Sequence, residues 1–162
     1  MKKEIIFDRL KPINAFSQTP GVVEGPIVGG NLSTFCSLLG TVAHPDLSGK
    51  ILFLEESGIR GYQADRLLEQ IVQSGILAPC KAVVCGHFSA CLEPDGSSLW
   101  QLFIERFASR TYCPVLVNVN AGLGMVQMPM PLGGPARLIL GTKGILTCMS
   151  GDGEIMGMRG VS

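Results

Sequence analysis

From residue 50 onward the chain alternates between two hydrophobic rhythms. KILFLE (50–55) is a continuous apolar run of strand length, the pattern of a central strand buried on both faces. Over 61–75, Ala64, Leu67, Leu68, Ile71 and Val72 recur at helical spacing, most of the polar residues lie off that face, and Gly75 closes the helix. KAVVCGHF (81–88) predicts another buried strand. SSLWQLFIERFASR (97–110) predicts a second helix, capped by Ser97 or Ser98, with Leu99, Phe103 and Phe107 along one side. CPVLVNVN (113–120) predicts a third strand, and ARLILGTKGILTCMS a hairpin turning around Gly141 to Gly144.

The first fifty residues are less regular. VVEGPIV (22–28) is strand-like but interrupted by Gly25 and Pro26, which favours an edge or a bulge. Asn31 is a good N-cap for a helix whose apolar face is Leu32, Phe35, Leu38 and Leu39, and Gly40 ends it. Pro12, Asn14, Ser17, Gln18 and Pro20 break any pattern before that, so residues 1–20 are expected to be an irregular lead-in arm and 21–162 one domain. Strands alternating with helices point to an α/β layered domain with a partly parallel sheet, finished by antiparallel strands. GLGMVQMPMPLGG is expected to be a long loop over the sheet edge, and long loops in small domains often carry function.

Composition narrows the partners. Thirteen basic and thirteen acidic side chains cancel, so no basic field gathers nucleic acid or anionic membrane. No apolar run approaches the roughly 20 residues of a membrane helix. The N-terminus has no export-signal pattern, so the six cysteines are expected to be reduced thiols in a cytoplasm.

Candidate chemistry is sparse. Glu55 and Glu56 follow the KILFL run at once, where a strand either ends in water or offers a carboxylate to a site. No serine sits in a G-x-S-x-G elbow. His44 lies in a turn. His87 ends a strand without a marked partner. Cys85, His87 and Cys91 form the nearest approach to a metal set, with buried thiols beside a strand-end histidine as the competing reading. Gly122 and Gly124 make two-thirds of a dinucleotide fingerprint with no helix after them, and GDGEIMG lacks calcium-loop spacing.

The strings GVVEGPIVGGNLSTFCSLLGT, PDLSGKILFLEESG, GYQADRLLEQIVQSGIL, AVVCGHFSAC and PVLVNVNAGLG…MPLGG, in this order, resemble the C-terminal half of LD-carboxypeptidases. That serine peptidase family includes muramoyltetrapeptide carboxypeptidase and the microcin C self-immunity protein. The resemblance covers roughly residues 20–140. It implies a swivelling β/α domain that supplies a glutamate and a histidine to a Ser-His-Glu triad. The serine belongs to a separate N-terminal domain across a cleft. It also implies removal of terminal D-alanine from murein tetrapeptides in cell-wall recycling, with no metal or organic cofactor.

Carried over residue by residue, the resemblance makes Glu55 the relay carboxylate and Glu56 its solvated neighbour. The family's histidine falls on Leu123, and His87, on a different strand, does not take its place. Three readings follow: an inactive C-terminal piece, one subunit of a split enzyme, or a non-catalytic module that binds murein peptide or protein. Apolar side chains at Leu123, Met125, Val126, Met128 and Met130 are expected to lie exposed and to favour a homo-oligomer, most simply a two-fold dimer.

Overall fold

The computed structural model describes residues 3–89, 91–122 and 128–150. In chain order the elements are β1 (Lys3–Pro12), α1 (Ala15–Gln18), β2 (Gly21–Asn31), α2 (Leu32–Ser37), β3 (Ile51–Ser57), α3 (Gly61–Gln73), β4 (Ala82–Ser89), α4 (Trp100–Ser109), β5 (Val115–Val117), β6 (Pro135–Leu140) and β7 (Gly144–Ser150). The strands close into a barrel in the order β1-β5-β4-β3-β2-β6-β7. The expected layered sheet is therefore curled until its edges meet. Strands β2, β3, β4 and β5 run parallel. The remaining pairings are antiparallel.

Closure depends on the segment expected to be an irregular arm. β1 pairs with β5 on one side and β7 on the other, which removes both sheet edges. Its alternation is hard to see in sequence because the register shifts between Phe7 and Leu10, where Arg9 takes φ 64°. Ile5, Phe7 and Leu10 all still reach the interior.

Two apolar clusters result. The barrel interior holds Phe7, Leu10, Ile27, Ile51, Phe53, Val84, Leu116 and Leu138 among others. The outer face of the parallel strands is covered by α2, α3 and α4, with Leu52, Leu54, Val83 and Cys85 meeting Phe35, Leu68, Ile71, Phe103 and Phe107. β3 lies between β2 and β4 and buries alternate residues in each cluster, as its unbroken apolar run predicts.

Local signals act where expected, with shifted ends. The Asn31 side chain accepts from Thr34 N, so it caps α2, but the helix stops at Ser37, short of Gly40. α4 is the exception: it begins at Trp100 with Leu99, not Ser97 or Ser98, at the N-cap position and no side-chain cap there, although Ser98 Oγ accepts from Trp100 N at 3.3 Å. β5 is confined to Val115–Val117.

Asn14 ties the N-terminal segment to the rest of the barrel. It caps α1 through Ser17 N (3.1 Å). The same oxygen accepts from Val115 N at 3.1 Å, and Nδ2 donates to the Cys113 carbonyl at 2.9 Å. Asn14→Ala should cost about 2–3 kcal/mol in urea unfolding, since it deletes a cap and leaves the Cys113 carbonyl and the Val115 N–H without this partner.

Gly29 and Gly30 end β2 with φ 122° and 140°. A Cβ on Gly29 would fall 2.0 Å from the Phe53 carbonyl oxygen, whereas a Cβ on Gly30 would meet nothing nearer than Leu132 Cδ1 at 4.0 Å. Gly29→Ala should therefore lose more than about 3 kcal/mol, from overpacking added to backbone strain. Gly30→Ala should lose only the strain, about 1–2 kcal/mol. Thermal melts of the two variants give the comparison.

Candidate functional site

The C-terminal ends of β2, β3 and β4 and the segment after β5 converge on one rim of the barrel, the usual position for a ligand site on parallel strands. Gly29–Asn31, Glu55, Gly86–His87 and Asn118–Gly122 supply this rim. Asn118 takes φ 70°, which turns the chain away from β5. The segment beyond it stays against β4: Val119 N donates to the Cys85 carbonyl at 3.0 Å and His87 N to the Ala121 carbonyl at 3.1 Å.

Period-two alternation separates the two carboxylates of β3. Glu55 has the parity of Ile51 and Phe53, which belong to the barrel interior. Glu56 has the parity of Leu52 and Leu54, which belong to the helix-covered face. Both are buried, at 8% and 3% exposure.

Glu56 is not the solvated neighbour that the sequence suggested. Its Oε1 accepts from Asn31 Nδ2 (2.8 Å) and Ser57 N (2.9 Å). Its Oε2 accepts from Ser33 N (2.9 Å) and Ser33 Oγ (2.5 Å). Burial, the largest influence on this carboxyl, raises its pKa, but the donors from Ser33, Ser57 and Asn31 together outweigh it and hold the group below the usual glutamate value. A buried anion satisfied by four donors, two of them from the first turn of α2, is a structural tie between β3 and α2. The signal for it lay in S-T after the N-cap Asn31, twenty-odd residues upstream, and local patterning did not connect the two.

Glu55 stands beside the opposite loop. A Cβ on Gly122 would lie 3.0 Å from Glu55 Cβ, 3.2 Å from Cγ and 3.3 Å from Oε2. Gly122 takes φ 104°, so the chain turns against the Glu55 side chain through a conformation that suits glycine. The residue that follows, Leu123, lies outside the described residues, as do Gly124, Met125, Val126 and the GDGEIMG segment. Met128 and Met130 are half-buried against the barrel interior rather than exposed.

His87 also reaches this rim. The β3–β4 register slips between Leu54 and Glu56, so that Glu56 pairs with Phe88 while Leu54 pairs with Cys85. The extra residue on β4 falls at Gly86–His87, beside Glu55. His87 Nε2 contacts Asn120 Oδ1 at 3.1 Å. His44 is exposed and lines a cleft with Asp46 and Ser74, on loops preceding β3 and β4, away from Glu55.

Cys85, His87 and Cys91 do not assemble a metal set. Among the described residues no group of three or more His, Cys, Asp or Glu side chains comes together. Cys85 is sealed in the helix-side core, and burial pushes its thiol up to about 12. Among the described residues no helix is long and apolar enough to cross a membrane.

Comparison with known proteins agrees with this geometry. The family model of the LD-carboxypeptidase C-terminal domain matches residues 24–138. The murein tetrapeptide carboxypeptidase of Pseudomonas aeruginosa is 28% identical over 118 residues, which are 72% of this chain and 38% of that protein. The crystal structure of muramoyltetrapeptide carboxypeptidase from Oxalobacter formigenes superposes with a TM-score of 0.75 at 32% identity, over 90% of this chain and 50% of that one. The microcin C7 self immunity protein MccF in complex with glutamyl sulfamoyl guanosine shares the fold, with a TM-score of 0.65 at 21% identity over 88% of this chain and 40% of that one. The chain thus spans half or less of the length of these relatives. It belongs to the LD-carboxypeptidase family, as its C-terminal domain.

Proposed function

We propose that this domain forms one wall of an LD-carboxypeptidase cleft, built to act on the terminal D-alanine of a murein tetrapeptide in the cytoplasm. The observation that carries this reading is the contact of Gly122 with Glu55, which brings the segment leading into position 123 against the candidate relay carboxylate. In such a triad a histidine accepts the proton of the serine, and the glutamate orients the imidazole and stabilises its cation. The burial of Glu55 at the barrel rim supports that role.

The reading also says what these 162 residues do not do alone. Leucine at 123 cannot accept a proton, and the nucleophile is to come from a serine-bearing N-terminal domain across the cleft. Loss of one triad member removes on the order of 10⁴–10⁶ in kcat. The domain by itself is therefore proposed to hold a murein peptide without cleaving it.

Leu123→His tests the placement directly. The introduced imidazole should titrate in NMR with a pKa raised by about one unit or more relative to the same histidine in a Glu55→Gln background. Mixed with a serine-bearing N-terminal domain, this variant should release D-alanine from murein tetrapeptide, while the unaltered chain under the same conditions should not. Identical titration in both backgrounds would overturn the pairing of positions 55 and 123. Release of D-alanine by the unaltered chain alone would overturn its proposed inactivity.

A further inference from the structure

The outer face of the antiparallel half of the barrel departs from the pattern of a sheet that meets water. Along β1, β7, β6 and β2, alternate residues turn inward to the core. The others form cross-strand rows on the outside. Pairing sets Val22 beside Ile139, and Ile139 beside Ile145, in the first row. Glu24, Arg137, Thr147 and Ile6 make the second. The third holds the pairs Pro26–Pro135 and Met149–Glu4.

An antiparallel sheet with one solvated face ordinarily alternates apolar-in and polar-out. This one is apolar on the outside as well, except at Glu24, Arg137, Thr147 and Glu4. Val22, Ile6, Ile139 and Ile145 are 51%, 49%, 40% and 37% exposed. Helices α2, α3 and α4 give no cover here, because they pack on the parallel strands at Leu52, Leu54, Val83 and Cys85. Closure of the barrel leaves no strand edge to extend, so a partner meets this surface through its side chains.

A domain docked on the Glu55 rim does not reach the first row. β2 runs from Gly21 to Asn31, and Val22 stands about 26 Å along the strand from Gly30 at the rim. The row of Val22, Ile139 and Ile145 lies at the end of the barrel away from Glu55.

The charges within the face are self-complementary. Arg137 Nη1 lies 3.3 Å from Glu24 Oε1, with the two side chains 35% and 29% exposed. They stand on the neighbouring strands β6 and β2. A two-fold axis in the plane of contact, passing between them, sets Glu24 of each copy over Arg137 of the other. A guanidinium has five N–H donors and a carboxylate two oxygens, so each group can meet its counterpart in the second copy and keep its own pair. An apolar face with one balanced ion pair suits a copy of itself better than a strongly charged partner.

We infer that this face is a contact between two copies of the chain, packed sheet to sheet about a two-fold axis. Four strands, with five residues of each, give a flat footprint of about 300 Å² per copy. Side chains standing off the sheet raise the accessible area above that, and the total still falls at the low end of specific interfaces, below about 1,200 Å². The dimer should therefore dissociate on dilution. Its contact is not the rim surface, since Met128 and Met130, expected to serve there, pack against the barrel interior. This holds whether or not the rim is a peptidase cleft.

Sedimentation velocity of the chain in reductant, from about 1 µM to about 1 mM, covers the dissociation constants that such a contact allows. Monomer is expected at the low end and dimer at the high end. Ile139→Lys, at an exposed position, should keep the native spectrum and melting temperature and weaken association about tenfold or more. Arg137→Glu and Glu24→Arg should each weaken self-association, because like charges then face one another, and a mixture of the two should associate better than either alone. A monomer at every concentration would overturn the inference. So would natively folded Ile139→Lys with undiminished association, or a mixture that gains nothing over the single variants. Loss of the dimer on adding a serine-bearing N-terminal domain, with that domain's binding abolished by Ile139→Lys, would give the face to the domain and overturn it too. The unaltered chain alone decides the matter if a variant does not fold.

Discussion

Burial of β3 on both faces is the constraint on which the rest of the molecule depends. A strand covered by the barrel interior on one side and by three helices on the other leaves its end residues two possible environments. Adjacent side chains must take opposite ones. Glu55 and Glu56 are neighbours in sequence, but one completes the barrel rim and the other is enclosed under α2. The ionised Glu56 is tolerated because four donors meet it, two from the α2 N-terminal turn, one from the N-cap Asn31 and one from its own strand. This anchors α2 to β3 and, through Gly29 pressed on the Phe53 carbonyl, fixes the distance between β2 and β3 at the rim.

The rim is where the fold meets the proposed site. Parallel strands deliver their C-terminal ends to one side of the barrel, and the chain after β5 returns along β4 to touch Glu55 through Gly122. The opposite end, at the feet of β4 and β5, is held by Asn14. The two ends are thus built by different residues, and a change at one need not be read as a change at the other.

How much of this was legible depended on the range of each interaction. β3, α3, β4 and the β6–β7 hairpin showed in the sequence because a single segment's periodicity sets them. The Asn31 cap showed because its partner, Thr34, is three residues away. β1 did not show, since the register shift around Arg9 breaks its alternation, and with it went the closed barrel. Glu56 was misread because three of its four donors lie on other elements. The His87–Asn120 contact joins segments about thirty residues apart, which no local pattern reveals. The placement of Glu55 came from the family resemblance carried by its flanking motif.

The central claim is that one of two adjacent glutamates is kept for the site and the other for the fold. Urea unfolding of Glu55→Gln and Glu56→Gln, side by side across pH, tests it most directly. Glu55→Gln should lose clearly less stability than Glu56→Gln at neutral pH. Glu56→Gln should lose about 2 kcal/mol or more there, because an amide cannot accept from all four donors. Glu56 has its native pKa below the ordinary value, so its contribution is complete above the unfolded-state pKa and is lost as pH falls through the native one. The deficit of Glu56→Gln should therefore shrink in acid. Equal losses for the two variants, or a larger and acid-sensitive loss for Glu55→Gln, would contradict the account.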